Sequence, residues 1–137
     1  MSISVRSVDR NGLRQQVEIE GFETLFLDAP EIVGGEGSAP DPHDHLDLAL
    51  GACKAITAQM YARRKGWPLE GVGVTVTRDD SQERHGTYRL DVSLDFRGSL
   101  DSEQRARLTE IADRCPIHRL ITTSRVEITT AATPVDA

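Results

Sequence analysis

From Ser2 to Val8, apolar Ile3 and Val5 alternate with serine and arginine, the period of two that a half-buried strand requires. Asn11-Gly12 follows, a pair in which both residues tolerate positive φ and which therefore predicts a tight hairpin turn. Val17 and Ile19 alternate in the return strand, Gly21 interrupts it, and Thr24 to Leu27 make a third strand, so the chain opens as an antiparallel meander. The period then changes. Between Asp41 and about Lys65 the apolar residues Leu46, Leu50, Cys53, Ile56 and Met60 recur three and four apart, which puts them on one face of a long central helix. Asp41 is placed to cap that helix, Pro42 suits its first position, and Asp44 complements the positive end of its dipole. Arg63-Arg64-Lys65 followed by Gly66 ends it.

The second half returns to alternation. Val72, Val74 and Val76 form one strand and Tyr88, Leu90, Val92, Leu94 and Phe96 another, joined through the polar stretch Ser81 to Gly86 as a β-hairpin. Asp101 caps a second helix whose Leu108, Ile111 and Ala112 share a face. At Cys115-Pro116 the register breaks, because proline can open a helix but cannot continue one; Cys115 is expected to cap a short turn holding Ile117, His118 and Leu120. Val126 and Ile128 begin a predicted final strand, and the Thr-, Ala- and Pro-containing tail beyond it is expected to fray. The order describes one α+β domain spanning 1–137, a length that buries about two-thirds of the unfolded surface.

Charge narrows the function classes. Sixteen Lys and Arg against twenty-two Asp and Glu leave a net charge of −6, without the basic stripe a duplex binder carries. Aromatic residues make up 4% of the chain, too few for a base-stacking platform. No apolar run approaches the roughly 20 residues of a membrane span. The start of the chain alternates instead of forming a leader core, so the expectation is a cytoplasmic protein without nucleic-acid or membrane partners.

The loop Gly34-Gly35-Glu36-Gly37 lacks the Lys-Ser/Thr that a phosphate cradle would add, and reads as a flexible connector. His43 and His45 stand two apart on the helix, where side chains diverge, and Cys115 with His118 forms a single pair, so neither a metal nor a cofactor is expected. His85 lies in a turn and takes no role. Two cysteines remain, Cys53 and Cys115, which are either small buried apolar residues or a redox pair. Locally, Cys115 before Pro116 has the better setting for a lowered thiol pKa, whereas Cys53 in mid-helix needs a cation brought from elsewhere, such as an arginine.

The segments Gly34-Gly35, Pro40 to Asp44 and Leu48 to Thr57, running on to Met60-Tyr61-Ala62 and Arg64 to Leu69, resemble the OsmC/Ohr superfamily, in particular its general OsmC-like branch. A second block agrees: Gly98 to Asp101, Gln104-Arg105 and Ile111 to His118, so that both cysteines fall where the family places them. The resemblance implies an OsmC-like α+β fold in which two chains intertwine as an obligate homodimer, with sites at the subunit interface. It implies a thiol-dependent peroxidase that reduces organic hydroperoxides, with Cys53 oxidised to a sulfenic acid, Cys115 resolving it to a disulfide, and an external dithiol restoring the pair.

The peroxidase branches also hold the first cysteine with an arginine–glutamate pair. Arg10, in Arg10-Asn11-Gly12, resembles that arginine in context, with Arg14 as the alternative. The glutamate's place is taken by His43, which accepts a hydrogen bond only while neutral, with Asp44 beside it as the alternative carboxylate. A second reading stands next to the enzyme: a dimeric small-molecule-binding or stress-protective protein on the same scaffold, its thiols structural.

Overall fold

A computed structural model describes residues 1–133; the end of the tail expected to fray, residues 134–137, lies outside the described residues. The elements follow in the order β1 (Ile3–Ser7), β2 (Gln15–Ile19), β3 (Leu25–Leu27), α1 (Pro42–Lys65), β4 (Leu69–Asp79), β5 (Arg89–Gly98), α2 (Ser102–Ala112) and α3 (Pro116–Thr122). This is an α+β arrangement with the predicted meander, long helix, hairpin and second helix. The residues fall into two compact units, Met1–Gly51 with Thr75–Ser93, and Ala52–Val74 with Leu94 onward.

In the first unit, β1, β2 and β3 form an antiparallel sheet in that order, with Val5 opposite Val17 and Val17 opposite Leu25. The Asp9 carboxylate accepts from the backbone N–H groups of Asn11 (2.9 Å) and Gly12 (2.5 Å), which shapes the turn between β1 and β2. The glycine-rich connector is not loose. Asp28 accepts from the Ser38 hydroxyl (2.5 Å), the Ser38 N–H (3.0 Å) and the Ala29 N–H (2.7 Å), latching the two ends together. Gly35 makes this closure possible, since a Cβ there would stand 2.0 Å from the Ala29 carbonyl oxygen. At the start of α1, Asp41 Oδ1 accepts from the Asp44 N–H (2.8 Å) while Asp44 Oδ2 accepts from the Asp41 N–H (2.9 Å), a reciprocal cap.

In the second unit the core consists of Ala58 and Ala62 from α1, Phe96 and Leu100 from β5 and the turn after it, and Leu108 from α2. Asp101 and Gln104 close α2 with a capping box. The Arg105 guanidinium donates to the carbonyls of Phe96, Gly98 (3.0 Å) and Leu100 (3.2 Å), tying the first turn of α2 to the end of β5. Gly98, at φ +134°, leaves room for the Pro68 carbonyl, which a Cβ would meet at 2.2 Å.

Two expectations are corrected. The buried face of α1 is Leu50, Lys54, Ala58 and Ala62, which shares Leu50 with the predicted stripe and is centred about a third of a turn away from it; Ile56 and Met60 are each 55% exposed. Both faces are apolar enough to satisfy the periodicity, and the small residues win because they let the core pack closely against the helix. The predicted final strand is also not formed: Val126 and Ile128 are exposed and belong to no strand. A strand exists only by pairing, and in the single chain no neighbouring edge receives this one.

Candidate functional site: a thiol pair beside a buried lysine

Cys53 and Lys54 are consecutive in the middle of α1, so their side chains diverge by about 100°. The Lys54 register is that of the buried face, and the residue is 2% exposed. Cys53 sits on the border of that face, half-buried, and is free. On the other side, α2 ends at Ala112 and Pro116 opens α3, which leaves Asp113 to Cys115 as a sharp connection. Cys115 takes extended dihedrals (φ −65°, ψ 148°) as the predicted cap of α3, and its sulfur accepts from the His118 N–H at 3.4 Å. Its side chain is fully buried.

These elements bring the Cys53 thiol beside Cys115, close enough for one to act on the other's ionisation. Burial pushes the Cys115 thiol up from its ordinary value, the His118 N–H pulls it down, the neighbouring Cys53 thiol raises it, and the charge of Lys54 lowers it. The balance is upward. The lowered thiol pKa expected from the Cys115-Pro116 position is therefore corrected: the same cap geometry that supplies an N–H donor also removes the sulfur from water.

Lys54 is the member that sequence reasoning missed. Its ammonium lies 3.2 Å from the Ala112 carbonyl oxygen, 3.2 Å from Asp113 Oδ1 and 2.9 Å from His118 Nδ1. An ammonium has three protons and no lone pair, so all three donors are used, and His118 Nδ1 must be the accepting nitrogen of a neutral ring. Full satisfaction is what permits a cation to be buried there. The signal that could have found it is its place four residues after Leu50 and four before Ala58, in the small-residue run of α1. A shallow depression of about 630 Å³, lined by Asp113, Arg114, His118, Arg119, Thr122 and Thr123, lies over the outer side of this cluster.

The other two expected site residues lie in the first unit. Arg10 is exposed in the turn between β1 and β2. His43 is half-buried at the start of α1, its Nε2 2.6 Å from Glu83 Oε1 and its ring tilted over Tyr88 at 5.8 Å. Asp44, the alternative carboxylate, is bound to Arg78 at 2.7 Å and caps its own helix. Arg14, the alternative cation, donates to the Ser38 hydroxyl at 2.7 Å and stacks over Phe26. Among the described residues no group of three His, Cys, Asp or Glu side chains could hold a metal ion.

A family model described as OsmC-like protein matches residues 35–131, well over half of the chain and both cysteine blocks. The chain belongs to the OsmC-like protein family. Solved structures share its fold at low identity. A protein of Psychrobacter arcticus 273-4, described as an osmotic stress induced and detoxification response protein, is 21% identical over 90% of this chain and 89% of its own, with a TM-score of 0.75. An OsmC like protein from Mycoplasma pneumoniae is 17% identical over 89% of this chain and 86% of its own, with a TM-score of 0.70. An organic hydroperoxide resistance protein OsmC from Legionella pneumophila is 24% identical over 89% of this chain and 88% of its own, with a TM-score of 0.59. Among curated proteins, none matches the chain. For this OsmC-like protein, then, chemistry has to be argued from its own side chains.

Proposed function

We propose that this OsmC-like protein is a thiol-dependent peroxidase for organic hydroperoxides. The supporting observation is the meeting of its two thiols, which come from α1 and from the α2–α3 connection and differ in access: Cys53 half-buried, Cys115 sealed. The Cys53 thiolate attacks the terminal oxygen of the hydroperoxide, the O–O bond breaks, and the alkoxide takes a proton to leave as an alcohol. Cys53 becomes a sulfenic acid. The Cys115 thiolate attacks that sulfur, the S–S bond forms, and the hydroxyl leaves as water with the proton Cys115 gave up. An external dithiol then returns both residues to thiols by exchange.

In this reading Arg10 is the counterpart of the arginine that the family's peroxidase branches use. His43, carrying Glu83 on its ring, stands where the family's glutamate would be. The working state is a cytoplasmic homodimer; exposed Ile3, Val5, Ile56 and Met60 support it, since apolar surface of this kind is normally covered. Sedimentation should give a dimer that persists on dilution, and a monomer would remove that part.

One observation favours the second reading, a dimeric binding or protective protein: burial holds the Cys115 thiol up, as in an inert structural cysteine. Adding cumene hydroperoxide to reduced protein separates the two. The peroxidase loses both thiols per chain and shows a Cys53–Cys115 link by mass spectrometry. Cys53→Ser abolishes turnover, and Cys115→Ser permits one oxidation followed by over-oxidation. Thiols no faster than free cysteine would decide for the binding protein.

A further inference from the structure

Lys54 has no place in the reading above, and its environment is hard to explain by packing. A chain needing only volume at that point of α1 would put leucine or methionine there, as burying a cation demands partners that an apolar residue does not. Three acceptors are supplied instead, from two other segments: the last carbonyl of α2, Asp113, and His118 of α3. With its donors used up, Lys54 has no proton directed at sulfur. What it can still give is its field. Of the groups around it only Asp113 is anionic, and that side chain is 74% exposed, where water screens it. His118 is neutral in this arrangement. The groups that act on the Cys115 sulfur are thus Cys53 and Lys54 from α1 and the backbone N–H of His118 from α3, while Asp113 acts through its ion pair with Lys54.

We propose that Lys54 is the positioning residue that makes Cys115 a competent resolving and leaving thiolate, and that Asp113 limits how much of its charge the sulfur feels. The proposal rests on the redox reading and deepens it. Two steps require negative charge on Cys115: its attack on the Cys53 sulfenic acid, and its departure when the reducing dithiol attacks the more accessible Cys53 sulfur of the disulfide. A nearby buried ammonium favours both, because a more stable thiolate leaves faster and is more abundant at a given pH. Lys54 also spans α1 and the α2–α3 connection, so its three bonds hold the two thiol-bearing segments together.

The test uses the full chain with Cys53→Ser, in which Cys115 is the sole thiol, and follows its Cβ chemical shift by NMR through a pH titration. Lys54→Gln keeps a donor for His118 and removes the charge; below the midpoint it should cut the thiolate fraction about tenfold. Asp113→Asn should change it the other way, raising the fraction about twofold. A purely structural role cannot produce opposite signs. An unmoved midpoint in Lys54→Gln overturns the proposal; should that variant not fold, an unmoved or upward-shifted midpoint in the exposed Asp113→Asn variant overturns it instead. Hydroperoxide is absent from this measurement. Opposite shifts in a protein that does not consume hydroperoxide would therefore sink the peroxidase reading, and the resolving role with it, and leave standing that Lys54 stabilises the Cys115 thiolate.

Discussion

Arg78 in the first unit and Lys54 in the second are both cations held by hydrogen bonds, and the two are balanced in opposite ways. In the first, Arg78 lies between Asp44 and Asp47, each at 2.7 Å, and Asp47 also accepts from the Tyr88 hydroxyl at 2.8 Å. One positive charge meets two negative ones. The guanidinium is held more firmly protonated by both carboxylates, and Tyr88 is pushed up to about 12 by burial, by its bond to Asp47 and by that carboxylate's charge. In the second, Lys54 meets one water-screened carboxylate, a neutral imidazole and a carbonyl. The first cluster consumes its charge in structure. The second leaves charge over, and the thiols are what lies beside it.

That difference is open to direct attack. Arg78→Met deletes the only cation between two carboxylates, one of them 13% exposed, and should destabilise the protein by about 3 kcal/mol in urea denaturation. Lys54→Met substitutes a side chain of similar volume and returns Asp113 to water. The remaining loss is chiefly the desolvated Ala112 carbonyl, about 1 kcal/mol. Equal losses in the two variants would mean that Lys54 is as structural as Arg78. The contrast would then be broken.

A smaller effect sharpens the first half of the comparison. Tyr88→Phe removes one hydrogen bond to a charged acceptor that Arg78 still satisfies, so the loss should be about 1 kcal/mol. Tyr88 also carries a pH signature. Its phenol is held up in the folded state, so its contribution is complete below the ordinary value of 10.0 and is lost as pH rises through about 12. Tyr61 is moved the other way, lowered by its hydrogen bond from Arg107. Spectrophotometric titration should therefore resolve two phenol steps, and Tyr88→Phe should delete the later one. A single step would show that Asp47 and Arg107 do not fix their tyrosines as described.

Local patterns in the sequence carried most of the fold. Asn11-Gly12 marked the first turn, Asp101 marked the start of α2, and Pro116 marked Cys115 as a cap; each depends on residues within four positions. Where a feature depends on distant groups, the pattern was ambiguous or silent. The stripe of Leu46, Leu50, Cys53, Ile56 and Met60 obeys helical periodicity as well as Leu50, Ala58 and Ala62 do, and spacing does not say which face the chain itself covers. Val126 and Ile128 alternate as a strand should, but an edge to pair with is not a local property. Both cysteines were legible as a pair because their blocks are familiar. Lys54, between one of them and an alanine, was not, because its acceptors at Ala112, Asp113 and His118 lie far along the chain.

The smallest expected effect concerns the Asp28 latch, which gives the first unit a second charge consumed in structure, this time an anion. Bonds from the Ser38 hydroxyl, the Ser38 N–H and the Ala29 N–H hold its carboxyl down at about 2, against an ordinary 3.8. A carboxyl lowered in the folded state stabilises fully above its unfolded value, and the contribution is lost as pH falls from there through the folded one. Wild type should therefore lose stability between about pH 4 and 2 faster than Asp28→Asn, whose amide keeps an acceptor for Ser38 but does not titrate. Hydrogen exchange at the Ser38 and Ala29 amides should report the same loss locally, with protection falling in that window. Parallel acid limbs in the two proteins would mean that the loop is closed by Gly35 and its backbone alone, and that the carboxylate adds nothing to the latch.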